Sequence, residues 1–331
     1  MTLPFVNNLL CCRVLKMMIS VAIPCYRSEK TIAPVVNEVI ETLAMRGEDD
    51  YEIVLVNDCS PDNVFDVIRD MASSNNNIKA IDLAHNMGQH AALMAAYSVC
   101  KGDIIVSMDD DGQSPVNALW ELLDPILQGN ADVSIADFGY KKESGFRNFG
   151  SWVNNKSLEM MLNKPDSLKL SSFFAMKKFV KDEITRYHGP YPYIGGLVLR
   201  STQKIINVPI PDRERLDGKS GYTMKKLISL FFNGFTSFSI KPLRLATIVG
   251  MIIGTLSFIS LIFILINKLL NPDTVLGWSS IISVILFIGG LIMIMLGIIG
   301  EYIGRIYICL NNSPQYVIRE TLNIDNDEST D

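Results

Sequence analysis

Residues 103–113 read DIIVSMDDDGQ, an apolar run that ends in three consecutive carboxylates. The apolar part is typical of a buried strand, so the aspartates follow directly where that strand ends. Three carboxylates at one strand end repel each other unless a cation lies among them, and hard oxygen ligands suit magnesium or manganese. Alternate residues of extended chain project to the same side, so Asp109 and Asp111 can share one ion. Taken alone, the triplet is equally compatible with a solvated acidic turn.

The sequence on both sides of this motif alternates strand and helix patterns. This alternation predicts a parallel sheet with helices on both faces, in which ligands bind beyond the carboxyl ends of the strands. The predicted strands are 19–23, 51–57, 78–83, 103–108 and 131–136, and the predicted helices begin near 32, 64, 89 and 115. The less regular segment that follows predicts a helix at 151–162 and strands at 171–176 and 205–210.

Two long uncharged segments come next. Leu245–Ile266 and Thr274–Gly300 contain no charged side chain, and each exceeds the roughly 20 residues that cross a bilayer as a helix. Buried helices of a large soluble core are the alternative interpretation, but such long uncharged runs are rare there. We therefore predict transmembrane helices at 245–266 and 274–300. Their glycines indicate close helix packing and are compatible with a homo-oligomer.

Basic residues flank the two predicted spans. Lys241 and Arg244 precede the first and Arg305 follows the second, which predicts a multi-pass inner-membrane protein with both termini in the cytoplasm. Residues 219–244 mix apolar and basic side chains, as do amphipathic helices in the membrane interface, although a core helix fits the pattern too. The other predicted segments are a leader at 1–17, a cytoplasmic α/β domain at 18–218 and a tail at 301–331. The last thirteen residues of that tail are predicted to be solvated and disordered.

Several classes of function lose support. The net charge of −5 argues against a nucleic-acid partner, and the six cysteines show neither zinc-site spacing nor a disulfide framework. The strand ends lack both G-x-G-x-x-G and a Walker motif, which disfavours dinucleotide-binding dehydrogenases and P-loop enzymes. Three scattered histidines are assigned no acid–base role.

Four motifs occur in order at the predicted strand ends: IPCYRSE (23–29), VNDCSPD (56–62), HNMGQHAALMAAY (85–97) and MDDDGQSP (108–115). Together they resemble family 2 glycosyltransferases, which have the nucleotide-diphospho-sugar (GT-A) fold. RERLDGKSGYT at 213–223, KPLR before the first span and GEYIGRIY after the second are similar to the branch that glycosylates polyprenyl phosphates. That branch includes undecaprenyl-phosphate glucosyl and 4-deoxy-4-formamido-arabinosyl transferases. The resemblance covers residues 18–318.

The resemblance implies a nucleotide-sugar donor site made from these motifs. The implied residues are Pro24, Tyr26 and Glu29 at the nucleoside, Asp58 at the base, and Asp109, Asp110 and Asp111 at the diphosphate. Asp109 and Asp111 are also the implied ligands of magnesium or manganese. Asp111 and Gln113 are the implied catalytic residues of this half of the site, with Gln113 near the sugar and the acceptor.

The resemblance also implies a site for a polyprenyl-phosphate acceptor. Arg215 and Ser220 match catalytic positions that face the phosphates at the membrane, and Arg147, Arg215 and Tyr222 are implied to contact the lipid phosphate. For either arginine, an ordinary surface charge is the alternative.

One position departs from the family pattern. Many relatives have an acidic residue, often considered a base, where this sequence has Ser172, while the arabinosyl-type relatives also carry a hydroxyl group there. A lipid monophosphate is already anionic near neutral pH, so its oxygen can attack the anomeric carbon without a side-chain base. A divalent ion stabilises the charge on the departing diphosphate.

The sequence thus leads to one hypothesis and two alternatives. The hypothesis is an inverting transfer of one sugar, most simply from a UDP-sugar, to undecaprenyl phosphate at the cytoplasmic membrane face, for cell-envelope glycan synthesis or modification. A processive polysaccharide synthase is the first alternative, but the chain lacks Gln-x-x-Arg-Trp and two helices make a poor channel. The second is a membrane-anchored protein that binds nucleotide sugars without turnover.

Overall fold

A computed structural model describes residues 17–139, 165, 168–189, 192–211, 213, 278–311 and 314–324, together with scattered positions between 248 and 270. The described chain is organised around one eight-stranded sheet with the strand order β7-β5-β6-β4-β1-β2-β3-β8. The strands are β1 Ile19–Cys25, β2 Tyr51–Asn57, β3 Ile78–Leu83, β4 Ile104–Ser107, β5 Val133–Asp137, β6 Phe174–Lys177, β7 Ile205–Pro209 and β8 Ile318–Leu322.

Seven α-helices have described bounds, and the scattered described positions between 248 and 270 are also helical. The seven helices are α1 Ile32–Ala44, α2 Val64–Ser74, α3 Gln89–Val99, α4 Leu119–Leu127, α5 Lys178–Thr185, α6 Ile194–Ser201 and α7 Trp278–Leu310. A 3₁₀ turn, Val116–Ala118, precedes α4. The strands and helices predicted up to residue 137 are present, with ends that differ by a few residues, whereas α5 and α6 were not predicted.

Apolar side chains that alternate along the strands build two separate cores. Ile53 and Leu55 of β2 pack with α1, α2 and α4 on one face, whereas Val54 and Val56 pack with α3, α5 and α6 on the other. Successive side chains of a strand point to opposite faces, so an unbroken apolar strand such as β2 must be covered on both sides. The predicted covering of both faces by helices is therefore confirmed.

The parallel arrangement predicted for the strands up to residue 136 is confirmed, but the complete sheet is mixed, because two later strands run antiparallel. Strands β1 to β4 are parallel neighbours and β5 is parallel to β7, but β6 lies antiparallel between β4 and β5, and β8 lies antiparallel against β3. Strand β6 is also shorter than the predicted strand 171–176. Strand direction depends on the path of the connecting segment, and an apolar pattern of period two is the same in both directions.

The prediction of a disordered tail from residue 319 is wrong for its first four residues. Strand β8 pairs with the edge strand β3 through backbone hydrogen bonds, and its side chains are only half-buried or exposed. An edge strand is held through its backbone groups and can form without an apolar run. The sequence therefore shows no strand pattern at this position. The sheet is consequently completed by residues well beyond the domain boundary predicted at 218.

Within the described chain, one helix has a stretch long and apolar enough to span a membrane, Phe287–Gly304, with a mean hydropathy of 1.9. Helix α7, which contains it, is described from Trp278, inside the predicted span, and continues ten residues past Gly300. The predicted span ends at Gly300 because the first charged residue, Glu301, follows it. A charged side chain does not interrupt the backbone hydrogen bonds of a helix, so α7 continues. Half of the residues of the first predicted span, 245–266, are described, and all of these are helical. A Cβ added at Gly250 would lie 2.8 Å from Cε of Met295, so this glycine allows a close approach to α7.

Most of the other sequence predictions between residues 140 and 247 lie outside the described residues. These are the helix at 151–162 and the interfacial helices at 219–244. The leader at 1–17 is described only at Met17.

Candidate functional site

The carboxyl ends of three parallel strands meet at one edge of the sheet. Cys25 and Asn57 end β1 and β2 and are paired in register, and β4 ends beside them on the other side of β1. The loops that follow contain two non-glycine residues in the left-handed region, Arg27 with φ of 59° and Cys59 with φ of 47°. Such conformations cost free energy and persist where the surroundings fix them, often at binding sites. This edge is therefore the candidate site.

Asp110 connects the loop after β4 to the loop after β1. Its Oδ2 accepts a hydrogen bond from the backbone N–H of Tyr26 at 2.9 Å. Burial raises the pKa of the Asp110 carboxyl to about 6, because loss of water penalises the charged form more than the hydrogen bonds favour it. Asp110 thus holds the two loops together.

Asp109 is oriented from two sides. Its Oδ1 accepts a hydrogen bond from Nε2 of Gln89 at 2.6 Å, and its Oδ2 accepts one from Oγ of Ser172 at 2.5 Å. Gln89 is the first residue of α3, and Ser172 lies just before β6, so three separate elements converge on this carboxylate. Sequence reasoning missed Gln89, although its place at a helix start after the third strand was a usable signal.

Asp111 and Gly112 shape the turn between β4 and the cleft beside it. Oδ1 of Asp111 accepts a hydrogen bond from the backbone N–H of Gln113 at 2.9 Å, the pattern of an Asx turn. Gly112 has φ of 74°, a conformation that glycine adopts without steric cost. The turn directs Gln113 towards the cleft that it lines.

The cleft beside Asp109 has a volume of about 290 Å³. Its polar lining includes Asp109, Gln113, Asp137, Lys169 and Ser172. Nζ of Lys169 lies 2.7 and 2.9 Å from the two carboxylate oxygens of Asp137. Neither residue was predicted. A single lysine in an irregular segment carries no sequence signal, whereas Asp137 directly follows the predicted strand 131–136, which was a usable signal.

Asp58 is buried and fastens the turn that precedes α3. Its two carboxylate oxygens accept hydrogen bonds from the backbone N–H groups of Met87 at 2.7 Å and Gly88 at 2.9 Å. Burial raises its pKa, and these two donors oppose the rise. Gly88 has φ of 85°, and a Cβ added there would meet no atom within 4 Å. Glycine is therefore needed at this position for its backbone conformation and not for lack of space. The structure thus gives Asp58 a positioning role, and contact with a base stays a prediction.

The predicted nucleoside residues lie around the same strand ends. Pro24 pairs with Val56 inside the sheet. Tyr26 is 41% exposed, and the Arg27 guanidinium lies 5.5 Å from the centroid of its ring. The backbone N–H of Glu29 donates to Oδ2 of Asp62 at 3.0 Å, which links the loops after β1 and β2. The exposed Tyr26 ring is available for stacking on a base.

The predicted acceptor residues Arg147, Arg215, Ser220 and Tyr222 lie outside the described residues, so their roles stay predictions. Among the residues that the structure describes, no three histidine, cysteine, aspartate or glutamate side chains form a cluster able to hold a metal ion by themselves.

Comparisons with known proteins agree with this arrangement. The profile of Glycosyl transferase family 2 matches residues 20–185, and that of the GtrB C-terminal hairpin matches residues 241–306. The uncharacterized glycosyltransferase YkcC of Bacillus subtilis (strain 168) is 31% identical over 93% of this chain and 95% of its own length. The undecaprenyl-phosphate 4-deoxy-4-formamido-L-arabinose transferase of Aeromonas hydrophila is 28% identical over 92% of this chain and 93% of its own. A prophage-derived bactoprenol glucosyl transferase of Shigella flexneri is 29% identical, over 92% and 98% respectively.

The predicted α/β GT-A fold is therefore confirmed for the domain that carries the site. With the four motifs gathered at one edge of its sheet and the family profile matched over half of its length, this chain is a glycosyltransferase that belongs to glycosyl transferase family 2.

Proposed function

We propose that this glycosyltransferase moves one sugar from a nucleotide-diphosphate donor, a UDP-sugar, to undecaprenyl phosphate at the cytoplasmic face of the membrane, with inversion at the anomeric carbon. The observation that carries the proposal is Asp109, oriented by Gln89 and Ser172 on the rim of the cleft. Relatives that match nearly the whole chain are named for undecaprenyl-phosphate or bactoprenol acceptors, and a hairpin profile matches the apolar segments. Those names differ in the sugar, so the proposal leaves it open.

The donor set of the site fits magnesium or manganese. Asp109 and Asp111 offer hard carboxylate oxygens, and magnesium is commonly bound by one or two carboxylates together with substrate phosphates. Two carboxylates without a third protein ligand agree with the absence of a self-sufficient cluster among the described residues. Asp109 and Asp111 would hold the ion, which as a Lewis acid would offset the negative charge that develops on the departing diphosphate.

The residues of the chain supply binding and orientation rather than a proton acceptor. Ser172 donates its hydroxyl proton to Asp109, so it orients a carboxylate and does not act as a base. The lipid phosphate is already an anion at neutral pH and needs none. Its oxygen forms the bond to the anomeric carbon as the bond from that carbon to the diphosphate breaks, and the nucleoside diphosphate leaves. Gln113, which lines the cleft, would position the sugar for this in-line displacement.

The acceptor is proposed to enter from the membrane side. Between residues 211 and 244 the chain has seven cationic and three anionic side chains, which suits anionic lipid head groups. Within or near this segment, Arg215, Ser220 and Tyr222 would contact the lipid phosphate, with Arg147 as a further contact. We also propose that two helices span the membrane and that the protein forms a homo-oligomer.

The test is transfer by the purified full chain with magnesium, undecaprenyl phosphate and a panel of labelled nucleotide sugars. We expect an organic-soluble product with one donor and its loss, by at least a hundredfold, in Asp111→Ala. Glu183→Ala removes an exposed, ion-paired carboxylate far along the chain and is the matched control. No product with any donor, or undiminished product from Asp111→Ala, would refute the proposal. Nucleotide binding without product would favour the non-catalytic alternative.

A further inference from the structure

The segment that follows α7 is fastened to the α/β domain at both of its ends. Nε2 of Gln315 donates to the backbone oxygens of Tyr187 at 2.6 Å and Gly189 at 2.7 Å. At the other end, Nδ2 of Asn323 donates to the backbone oxygen of Ala72 at 2.7 Å. Between these contacts β8 extends the sheet beyond β3. The segment is therefore an integral part of the sheet edge.

Arg319 of β8 forms an ion pair with a buried carboxylate. Its Nη1 lies 3.0 Å from Oδ2 of Asp82, whose side chain is only 4% exposed, and its Nη2 donates to the backbone oxygen of Ala84 at 3.2 Å. The other oxygen of Asp82 accepts a hydrogen bond from Nδ2 of Asn57 at 2.7 Å. A buried carboxylate is costly without a partner, so Arg319 stabilises the charge that orients Asn57.

From Asn57 the hydrogen bonds continue into the candidate nucleotide site. Oδ1 of Asn57 accepts from the backbone N–H of Ser60 at 3.1 Å, and Oγ of Ser60 accepts from the backbone N–H of Arg27 at 2.8 Å. Oγ of Ser60 also donates to Asp62 at 2.6 Å. Arg27, which this chain of bonds reaches, has a left-handed backbone that its surroundings must hold.

We propose that Arg319 is a positioning residue for nucleotide binding, acting through Asp82, Asn57 and Ser60 on the loops that follow β1 and β2. The proposal rests on the proposed function, because it takes these loops to bind the nucleotide of the donor. Loss of Arg319 leaves Asp82 without its cationic partner, so this carboxylate must turn towards water or draw water in. The first change removes the acceptor that orients Asn57 and the second weakens it, so the loops lose their fixed arrangement.

The experiment compares the wild-type full chain with Arg319→Ala and Arg69→Ala in detergent. Arg69 of α2 pairs with Asp66 and with Glu320 of β8 and not with Asp82, so it is the matched control. UDP affinity is measured by calorimetry, hydrogen exchange is followed at 26–29 and 56–62, and KM is determined for donor and acceptor. For Arg319→Ala we expect about tenfold weaker UDP binding, a similar rise in the donor KM, an unchanged acceptor KM and faster exchange in both loops. Arg69→Ala should match wild type.

A rescue separates positioning from general stability. Arg319→Ala combined with Asp82→Asn removes the buried charge but keeps an oxygen that can accept from Asn57, so loop protection and UDP affinity should return towards wild type. Three results would each overturn the proposal. The first is unchanged loop exchange and unchanged UDP affinity in Arg319→Ala. The others are exchange at 104–107 that becomes as much faster as in the loops, and failure of the rescue. Where Arg319→Ala does not fold, Arg319→Lys decides, since loss of the two-pronged contact should still loosen the loops measurably. Wild-type protein that transfers no sugar refutes the proposed function instead, and loop exchange still decides the role of Arg319.

Discussion

Replacing Ser172 by alanine removes a hydrogen bond that orients Asp109. The Ser172 hydroxyl donates to Oδ2 while Gln89 donates to Oδ1, so the variant keeps the Gln89 bond and loses the Ser172 donor at Oδ2. A net hydrogen bond to a charged group contributes about 1.5–3 kcal/mol. Asp109 is partly exposed and water can replace the lost donor, so the lower end of this range applies. We expect kcat/KM to fall about tenfold, which corresponds to ~1.4 kcal/mol of transition-state stabilisation.

The assay is steady-state transfer to undecaprenyl phosphate at several magnesium concentrations, with the product extracted into organic solvent. In Ser172→Ala the magnesium concentration for half-maximal rate should rise, because Asp109 is less well oriented as a ligand. Ser172→Thr retains the hydroxyl group and should stay within about twofold of wild type, which makes it the control. Ser172→Asp would place a second carboxylate against Asp109 and should lose more activity than Ser172→Ala. A gain of turnover in Ser172→Asp, or full activity in Ser172→Ala, would refute the reasoning.

Two further predictions concern stability. A Cβ added at Gly102 would lie 2.5 Å from Oγ and 2.7 Å from N of Ser20, so Gly102→Ala should cost about 3 kcal/mol and lower Tm by roughly 6–12 °C. Gly289→Ala, which has open space at its Cβ, should not lower Tm, and an equal loss in both would contradict the argument. Burial raises the pKa of Glu52, but hydrogen bonds from Lys79, Ser20 and the Lys101 backbone outweigh it and lower this pKa below its usual value. The resulting stability is present above the unfolded pKa of about 4.5 and is lost as pH falls through the folded pKa. Thus Glu52→Gln should lower Tm at pH 7 and much less at pH 3.5, and a loss independent of pH would argue against this.

The strands of the first half were predictable because burial on both faces requires apolar residues at nearly every position. Tyr51–Asn57 and Ile78–Leu83 agree with the predicted bounds for this reason. Strand β8 was not predictable, because its pairing with β3 depends on backbone groups and on the Arg319–Asp82 contact across 237 residues of sequence. The reversed direction of β6 was equally hidden, since direction follows from the connecting segment.

The same distinction holds for the site. Aspartates at strand ends were predictable from their position after apolar runs, which is a local pattern. The partners that decide what each aspartate does are distant in sequence: Gln89 and Ser172 for Asp109, and the Tyr26 backbone for Asp110. Sequence therefore predicted that the aspartates after β2 and β4 gather at the sheet edge, whereas their partners and their separate roles required the folded arrangement.

The three consecutive aspartates do not act as one cluster of equivalent ligands. Asp110 accepts a hydrogen bond from the Tyr26 backbone and so connects to the loop after β1. Asp111 accepts a hydrogen bond from the Gln113 backbone, and Asp109 is held beside the cleft by Gln89. Among the described residues, a divalent ion at this edge would thus meet at most two protein carboxylates, Asp109 and Asp111, too few to fill an octahedral shell. The remaining positions would belong to water and to the diphosphate of the donor. Metal and nucleotide sugar should therefore bind together, each raising the affinity of the other, because the chain supplies only part of the coordination that the ion requires.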